Sequence, residues 1–310
     1  MTIHSIEPID GNVHGYFSKD IVPILTIDSG DTLHVKTLDA GWGLEAPKLD
    51  RSPRKKLANP VPNMRGHALC GTVAINGAKA GMTLEINIGD IVTGDYGFTY
   101  AGGFGHPIHQ SLGLDTGEQA LLLWGLDNKT KTARNQMGHK IKINPFMGVM
   151  GMPPPEEGQH DTAPPRIWGG NIDCKELVSG TTLYLPIPVD KALFSVGDGH
   201  AAQGDGEVSV QAIECPIEKA ELTLTLHEDM PLDAPIARID GAWLTFGFHE
   251  NLNQAAYMAL DNMVNLMTEK LHLSRKEALA LASPIVDLRI TQIANPAVGV
   301  HAILRDDALL

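Results

Sequence analysis

Asp198 and His200 stand two residues apart in FSVGDGHAAQGDGE (194–207), with Asp205 and Glu207 close behind. An imidazole nitrogen beside carboxylate oxygens is a ligand set for zinc, manganese or iron, and further carboxylates extend it to calcium. Four glycines in the same stretch let the backbone approach a bound group closely or take positive φ. The competing reading is a solvated acidic turn between two strands, because D-x-H alone is a weak signature. A second group, WGGNIDCKEL (168–177), sets Asn171 and Asp173 two apart after the Gly169-Gly170 bend. Together the two groups offer three or four oxygen and nitrogen ligands. A straight strand over 181–189 would hold them roughly 30 Å apart. Either Pro186 and Pro188 bend that path, or only one group belongs to the site.

Other residues extend the chemistry. Glu214 closes EVSVQAIE (207–214). If that segment is a strand, Val208, Val210 and Ala212 share a face with Glu214, and burial raises its pKa as a general acid or base requires. A strand-end surface charge is the plain alternative. His67 in RGHALCG and Asp39 in TLDAG sit at strand ends, where each is more often structural than catalytic. Cys174, between Asp173 and Lys175, is a conceivable nucleophile, although a free cysteine is more often a small buried hydrophobe. The sequence has no G-x-S-x-G elbow, P-loop or G-x-G-x-x-G, so serine-elbow, ATP and dinucleotide chemistry find no support.

The elements that must position these groups are mostly strands. MTLEINIGDIV (82–92) alternates Leu84, Ile86 and Ile88 with Thr83, Glu85 and Asn87, the period of a half-buried strand. AELTLTLHE (220–228) repeats it with Leu222, Leu224 and Leu226. Segments 31–38, 68–75, 119–126, 181–189, 207–214 and 242–248 read as strands too. Turn signals such as Asn76-Gly77 favour hairpins and antiparallel sheets. The helical signal comes late. Ala256, Leu260, Met263, Val264, Met267 and Leu271 share one face over 252–272 after an Asn251 cap, and a Ser274/Glu277 capping box opens a second helix through Leu281. Strands 286–294 and 299–305 follow, joined by a turn at Asn295-Pro296. The pattern predicts an α+β fold, mainly β, with a C-terminal helix pair on a sheet. GMPPPEEGQHDTAPPR (151–166) carries five prolines in sixteen residues and must be a loop, either a lid or a stiff connection.

Bulk composition narrows the partners. A chain of 310 residues with 43% hydrophobic and 20% charged content is globular, and a net charge of −13 argues against a nucleic-acid partner. Three cysteines without C-x-x-C spacing argue against a disulfide framework. No signal peptide or bilayer-length apolar run is present, so no membrane partner and a cytoplasmic location are expected.

The long block from Gly169 to Glu214 resembles the signature region of the acetamidase/formamidase family. GHALCGTVAINGAKAGMTLEINI (66–88), NPFMGVMGMPP (144–154) and SPIVDLRITQIANPAVGVHAIL (283–304) extend the likeness in family order. The resemblance implies one unit over 1–310, with a β-rich half at 1–150 and an α+β half at 151–310 carrying most of the site. It implies a jelly-roll-like antiparallel β-sandwich with added α/β elements, often a homo-oligomer (dimer or higher), that hydrolyses small aliphatic amides with a bound divalent metal, zinc first and calcium second. Asn171 and Asp173 match its GGN-x-D, Asp198 and His200 its GD-x-HA, Gln203, Asp205 and Glu207 its QGDGE, Glu214 its AIE, and His67 its GH. On that basis Asp173, Asp198 and His200 are the expected metal ligands and Glu214, Asn171 and His67 the expected catalytic groups. Asp39, Gln203, Asp205 and Glu207 are secondary candidates. The family's TGP step reads Cys70-Gly71-Thr72 here and the bulky residue that follows is Ala74, departures expected to alter the pocket lining. Two other classes stay open: a non-enzymatic metal-binding β-sandwich and a cysteine-dependent amidase.

Overall fold

The computed structural model describes residues 1–58 and 66–309. Its largest sheet has nine strands, in the order Ile3–Ile6, Asp31–Thr37, Ile217–His227, Thr83–Thr93, Thr182–Pro186, Ile236–Ile239, Ala242–His249, Val298–Arg305 and Val286–Gln292. The alternation seen in the sequence sets its pairing. Leu222 lies opposite Ile88, Leu224 opposite Ile86 and Leu226 opposite Leu84. Leu84, Ile86, Ile88, Leu222 and Leu224 are fully buried, whereas Glu85 and Asn87 on the other face are not.

That apolar face packs on a second sheet, ordered Gly169–Asn171, Phe146–Gly151, Phe194–His200, Leu69–Ile75 and Val13–His14, with Leu25–Ile27 joined to Leu69–Ile75. One continuous core holds Leu33, Ile86 and Leu224 from the first sheet together with Val73, Met147 and Val196 from the second. The sandwich is mainly antiparallel; Ile3–Ile6 runs parallel to Asp31–Thr37, and Leu25–Ile27 runs parallel to Leu69–Ile75. A four-stranded sheet, Tyr96–Ala101, Ala120–Asp127, Thr132–Asn135 and Lys140–Lys142, flanks it. Helices Leu252–Leu271 and Arg275–Ile285 start at the expected Asn251 cap and Ser274/Glu277 capping box. They cover the far end of the nine-stranded sheet, where Ala255, Ala259 and Met263 meet Val300 and Ala302. Among the described residues no helix is long and apolar enough to cross a membrane.

Two expected elements are exchanged. Residues 194–200, read as loop, form a strand with every residue buried, and 207–214, read as a strand, form a loop. The glycines explain the first. A Cβ at Gly197 would lie 2.4 Å from the Ala68 carbonyl oxygen, and one at Gly199 would lie 2.4 Å from Ile217 Cγ1. They serve strand packing rather than a flexible turn. Left-handed backbone at Glu207 and Val210 breaks the second segment, and Val208 is exposed rather than sharing a buried face with Glu214.

His14 ties the second sheet together. With Nδ1–H donating to the Tyr16 carbonyl at 2.7 Å, its Nε2 accepts from the Ser195 hydroxyl at 3.0 Å. Burial lowers its pKa from 6.5 to about 4, against the raising effect of the Tyr16 bond. Between those values the unfolded chain binds the extra proton, so stability is lost as pH falls through this window. The expected loss from this group is on the order of 3 kcal/mol. Denaturation midpoints measured across the window should fall less steeply for His14→Gln than for wild type; equal slopes would exclude His14 as the source.

Candidate active site

Strand Phe146–Gly151 is the hub of the site. It pairs with Gly169–Asn171 on one side and Phe194–His200 on the other, so Val149 lies opposite both Asn171 and Gly197. The intervening chain crosses to the nine-stranded sheet as Thr182–Pro186 and returns, which brings the two sequence groups together instead of separating them. His200 Nε2 lies 3.3 Å from Asp198 Oδ1 and 3.4 Å from Glu214 Oε2. Asp198, His200 and Glu214 form one triad whose ligating atoms fall within 4.8 Å of one another; Asp173, His200 and Glu207 form a second, sharing His200. All five residues are buried. Asp173, Asp198 and Glu207 have left-handed backbone, at φ 52°, 60° and 48°. Such conformations cost a side-chain-bearing residue of order 1–3 kcal/mol and cluster at functional sites.

The charges are heavily one-sided. Four carboxylates meet one buried imidazole, and among the described residues no lysine or arginine forms an ion pair with any of the four. Burial raises the Asp173 carboxyl to about 7, and raises Glu207 well above and Glu214 above the usual carboxylate range. Burial also disfavours ionised Asp198, but His200 and His67 outweigh it and hold this carboxyl low. For His200 burial opposes the charge, and Asp198 with Glu214 overcomes it, so the imidazolium is strongly favoured. Asp173 Oδ1, His200 Nδ1, Glu207 Oε2 and Glu214 Oε2 are buried with no hydrogen-bond partner. Buried polar atoms are rarely left so.

Further residues complete the site. Asn295 Nδ2 donates to Asp173 Oδ2 at 2.8 Å, and Gln203 Nε2 donates to the Asp173 carbonyl at 2.7 Å. Gly148 lies at the centre. A Cβ there would stand 2.6 Å from Asp173 Oδ1, 2.6 Å from Asp198 Oδ2 and 2.9 Å from His200 Cε1. The sequence reading missed both Gly148 and Asn295, the latter appearing only as part of an Asn-Pro turn. His67 reaches the rim, with Nε2 3.9 Å from Asp198 Oδ2. Its Nδ1 lies 2.8 Å from Thr162 Oγ1, which anchors the proline-rich loop to the site.

Other candidates lie elsewhere. Asp39 is fully buried, but Arg54, Tyr96 and the Gly41 and Gly43 amides occupy its oxygens, making it a structural clamp. Asp205 pairs with Lys175 at 2.9 Å on a half-exposed surface. Asn171 Nδ2 donates to the Ala163 carbonyl at 3.1 Å, while its Oδ1 is buried without a hydrogen-bond partner. Cys70, Thr72 and Ala74 are buried in the core and do not border the cleft that reaches Glu214, so the expected effect on pocket lining does not arise there. That cleft, about 370 Å³, runs between Arg51, Arg54, Phe98 and Tyr100 to Glu214. A larger one of about 1070 Å³ meets the site only at Gln203 and is the poorer candidate for substrate.

Fold and site together define a mainly β sandwich with a buried carboxylate–imidazole centre at its middle strand. The chain belongs to the acetamidase/formamidase family, whose sequence model matches residues 4–161 and 156–239. It is 25% identical over 250 residues to a formamidase of Methylophilus methylotrophus, an alignment spanning 64% of this chain and 60% of that protein. The crystal structure of an acetamidase from Bacillus halodurans superposes with a TM-score of 0.83 at 30% identity over 97% of each chain. A protein described as a predicted acetamidase/formamidase from Thermoanaerobacter tengcongensis gives 0.86 at 25% identity, covering 99% of this chain and 96% of its own.

Proposed function

We propose that this chain is a metal-dependent amidase that hydrolyses small aliphatic amides, of formamide or acetamide type, to a carboxylate and ammonia. Its family and the names of its relatives support the amide substrate. The observation that carries the metal is the uncompensated cluster: four buried carboxylates around one imidazole, several atoms unpartnered, and a space at Gly148 that a single carbon would fill. This donor set suits a divalent cation, zinc foremost and calcium as the alternative. Asp173, Asp198 and His200 would hold it; His200 is common to both triads, with Glu207 beside Asp173 in one and Glu214 beside Asp198 in the other. When bound, such an ion supplies Lewis acidity, polarising an amide carbonyl and lowering the pKa of water from 15.7 to about 7.

The chain's own groups do the rest. Glu214 keeps Oε1 on the Ala212 amide at 3.2 Å and sets Oε2 beside His200, without a hydrogen bond of its own. It takes a proton from the attacking water and delivers it to the amide nitrogen as the C–N bond breaks. Nitrogen leaves as ammonia only once protonated, so this transfer matters as much as the attack. Asn295 and Gln203 fix Asp173 from the side chain and the backbone. The 370 Å³ cleft delivers substrate to Glu214.

A cysteine-dependent reaction has less support. All three cysteines are buried, and burial first, then the Glu176 charge, pushes the Cys174 thiol well above its usual range. A purely binding role leaves Glu214, which borders a cleft, without a use. Ammonia release from formamide, acetamide and propionamide, before and after chelation and metal add-back, tests the reading. Activity abolished by chelator and restored by metal is the expected outcome. Activity that survives complete metal removal would overturn the metal, and metal binding without ammonia from any amide would overturn the substrate class.

A further inference from the structure

We infer that Cys174, Glu176 and His301 form a second cation site, suited to zinc, that fastens the turn carrying Asp173 to the opposite sheet. The inference does not depend on the amide chemistry. Each of the three residues offers one ligand atom, and these atoms lie within 4.8 Å of one another. Cys174 Sγ is 3.3 Å and His301 Nε2 is 3.6 Å from the same oxygen, Glu176 Oε2. A tetrahedral zinc with bonds of about 2.3 Å to sulfur and 2.0–2.2 Å to nitrogen and oxygen sets edges of roughly 3.5–3.7 Å from sulfur and roughly 3.3–3.6 Å between nitrogen and oxygen. The His301–Glu176 edge already stands at that spacing, and the Cys174–Glu176 edge is slightly short of it.

His301 is the independent sign of a ligand. Its side chain is 0% exposed, and Nε2 has no hydrogen-bond partner. Nδ1 lies 2.8 Å from Thr291 Oγ1. A ring held at one nitrogen, with the other aimed at an empty point, is how metal-bound imidazoles are oriented. The 3.6 Å approach to Glu176 is too long for a hydrogen bond.

The surrounding charges are compatible. Arg289 Nη1 holds the other Glu176 oxygen at 3.3 Å and so orients Oε2, while Lys175 is engaged by Asp205 at 2.9 Å. Glu176 borders the 1070 Å³ cleft, which gives an entry path and room for water as a fourth ligand. Uptake exchanges the thiol proton for the cation, and the proton leaves to solvent.

Cobalt(II) is the probe. The stripped full-length protein should show a thiolate-to-cobalt charge-transfer band on titration. Cys174→Ser should lose that band together with one bound equivalent, and His301→Gln should weaken it. His200→Ala, which damages the first site, should leave the band in place. If a serine at 174 prevents folding, the wild-type spectrum and His301→Gln still decide. Cobalt bound to wild type without a thiolate band, or equal cobalt uptake by wild type and Cys174→Ser, would reduce the three residues to a buried hydrogen-bonded network and overturn the proposal.

Discussion

Glu214→Gln is expected to keep the wild-type metal content and lose turnover by about 10²–10⁴-fold, the range for removing a general acid–base group. The change preserves shape and leaves an oxygen that accepts the Ala212 amide, so local structure should hold. What disappears is a carboxylate that can carry a proton. The measurement also separates two roles the geometry allows. Glu214 lies 3.4 Å from His200 and belongs to one of the two triads, so it stands near enough to be a ligand itself. Loss of metal together with activity would make it a ligand, and near-normal turnover would remove it from the reaction. His200→Ala supplies the contrast, because a residue common to both triads should cost metal and activity together.

Gly148→Ala should weaken metal binding by roughly 100-fold, at the upper end of what losing a ligand's support costs, with activity falling in step. The added methyl would stand 2.6 Å from an oxygen of Asp173 and from one of Asp198. Neither can easily retreat: Asn295 and Gln203 pin Asp173, and Asp198 lies within a fully buried strand. The backbone at Gly148 is not left-handed, so alanine introduces no strain of its own. Lost metal in a protein that still folds, its thermal unfolding midpoint lowered by an overpacking cost of about 1–3 kcal/mol, is the expected signature. A variant that keeps both metal and activity would place the cation away from this strand.

The longer strands of the nine-stranded sheet were legible in the sequence because one of its faces is wet, whereas the four-residue strands Ile3–Ile6 and Ile236–Ile239 were not. Leu84, Ile86 and Ile88 alternate with polar neighbours, and period-two alternation is the signal a half-buried strand leaves. Phe194–His200 leaves no such signal. It is buried on both faces, and its ligands and glycines look like loop composition until their neighbours are known. The opposite error arose at 207–214, where alternating valines imitate a strand that left-handed residues forbid. Asp173, Asp198, His200 and Glu214 were identifiable through motif and residue chemistry. Gly148 was not, because its contribution is the absence of a side chain, and Asn295 was hidden in a turn whose partner lies in a distant segment. Glu214 proves buried as expected, though through the bridges it makes to Phe98 and His200 rather than along an apolar strand face.

The scatter of the site along the chain has a consequence for its order of assembly. Gly148, Asp173, His200, Glu214 and Asn295 meet only after the hub strand has gained both neighbours and the C-terminal turn has docked. No contiguous fragment short of that span holds the full constellation. A growing chain would therefore present scattered carboxylates for most of its synthesis and a finished centre only near the end. On the proposed metal-dependent reading, cation capture would then belong to maturation rather than to nucleation, after the sandwich has closed.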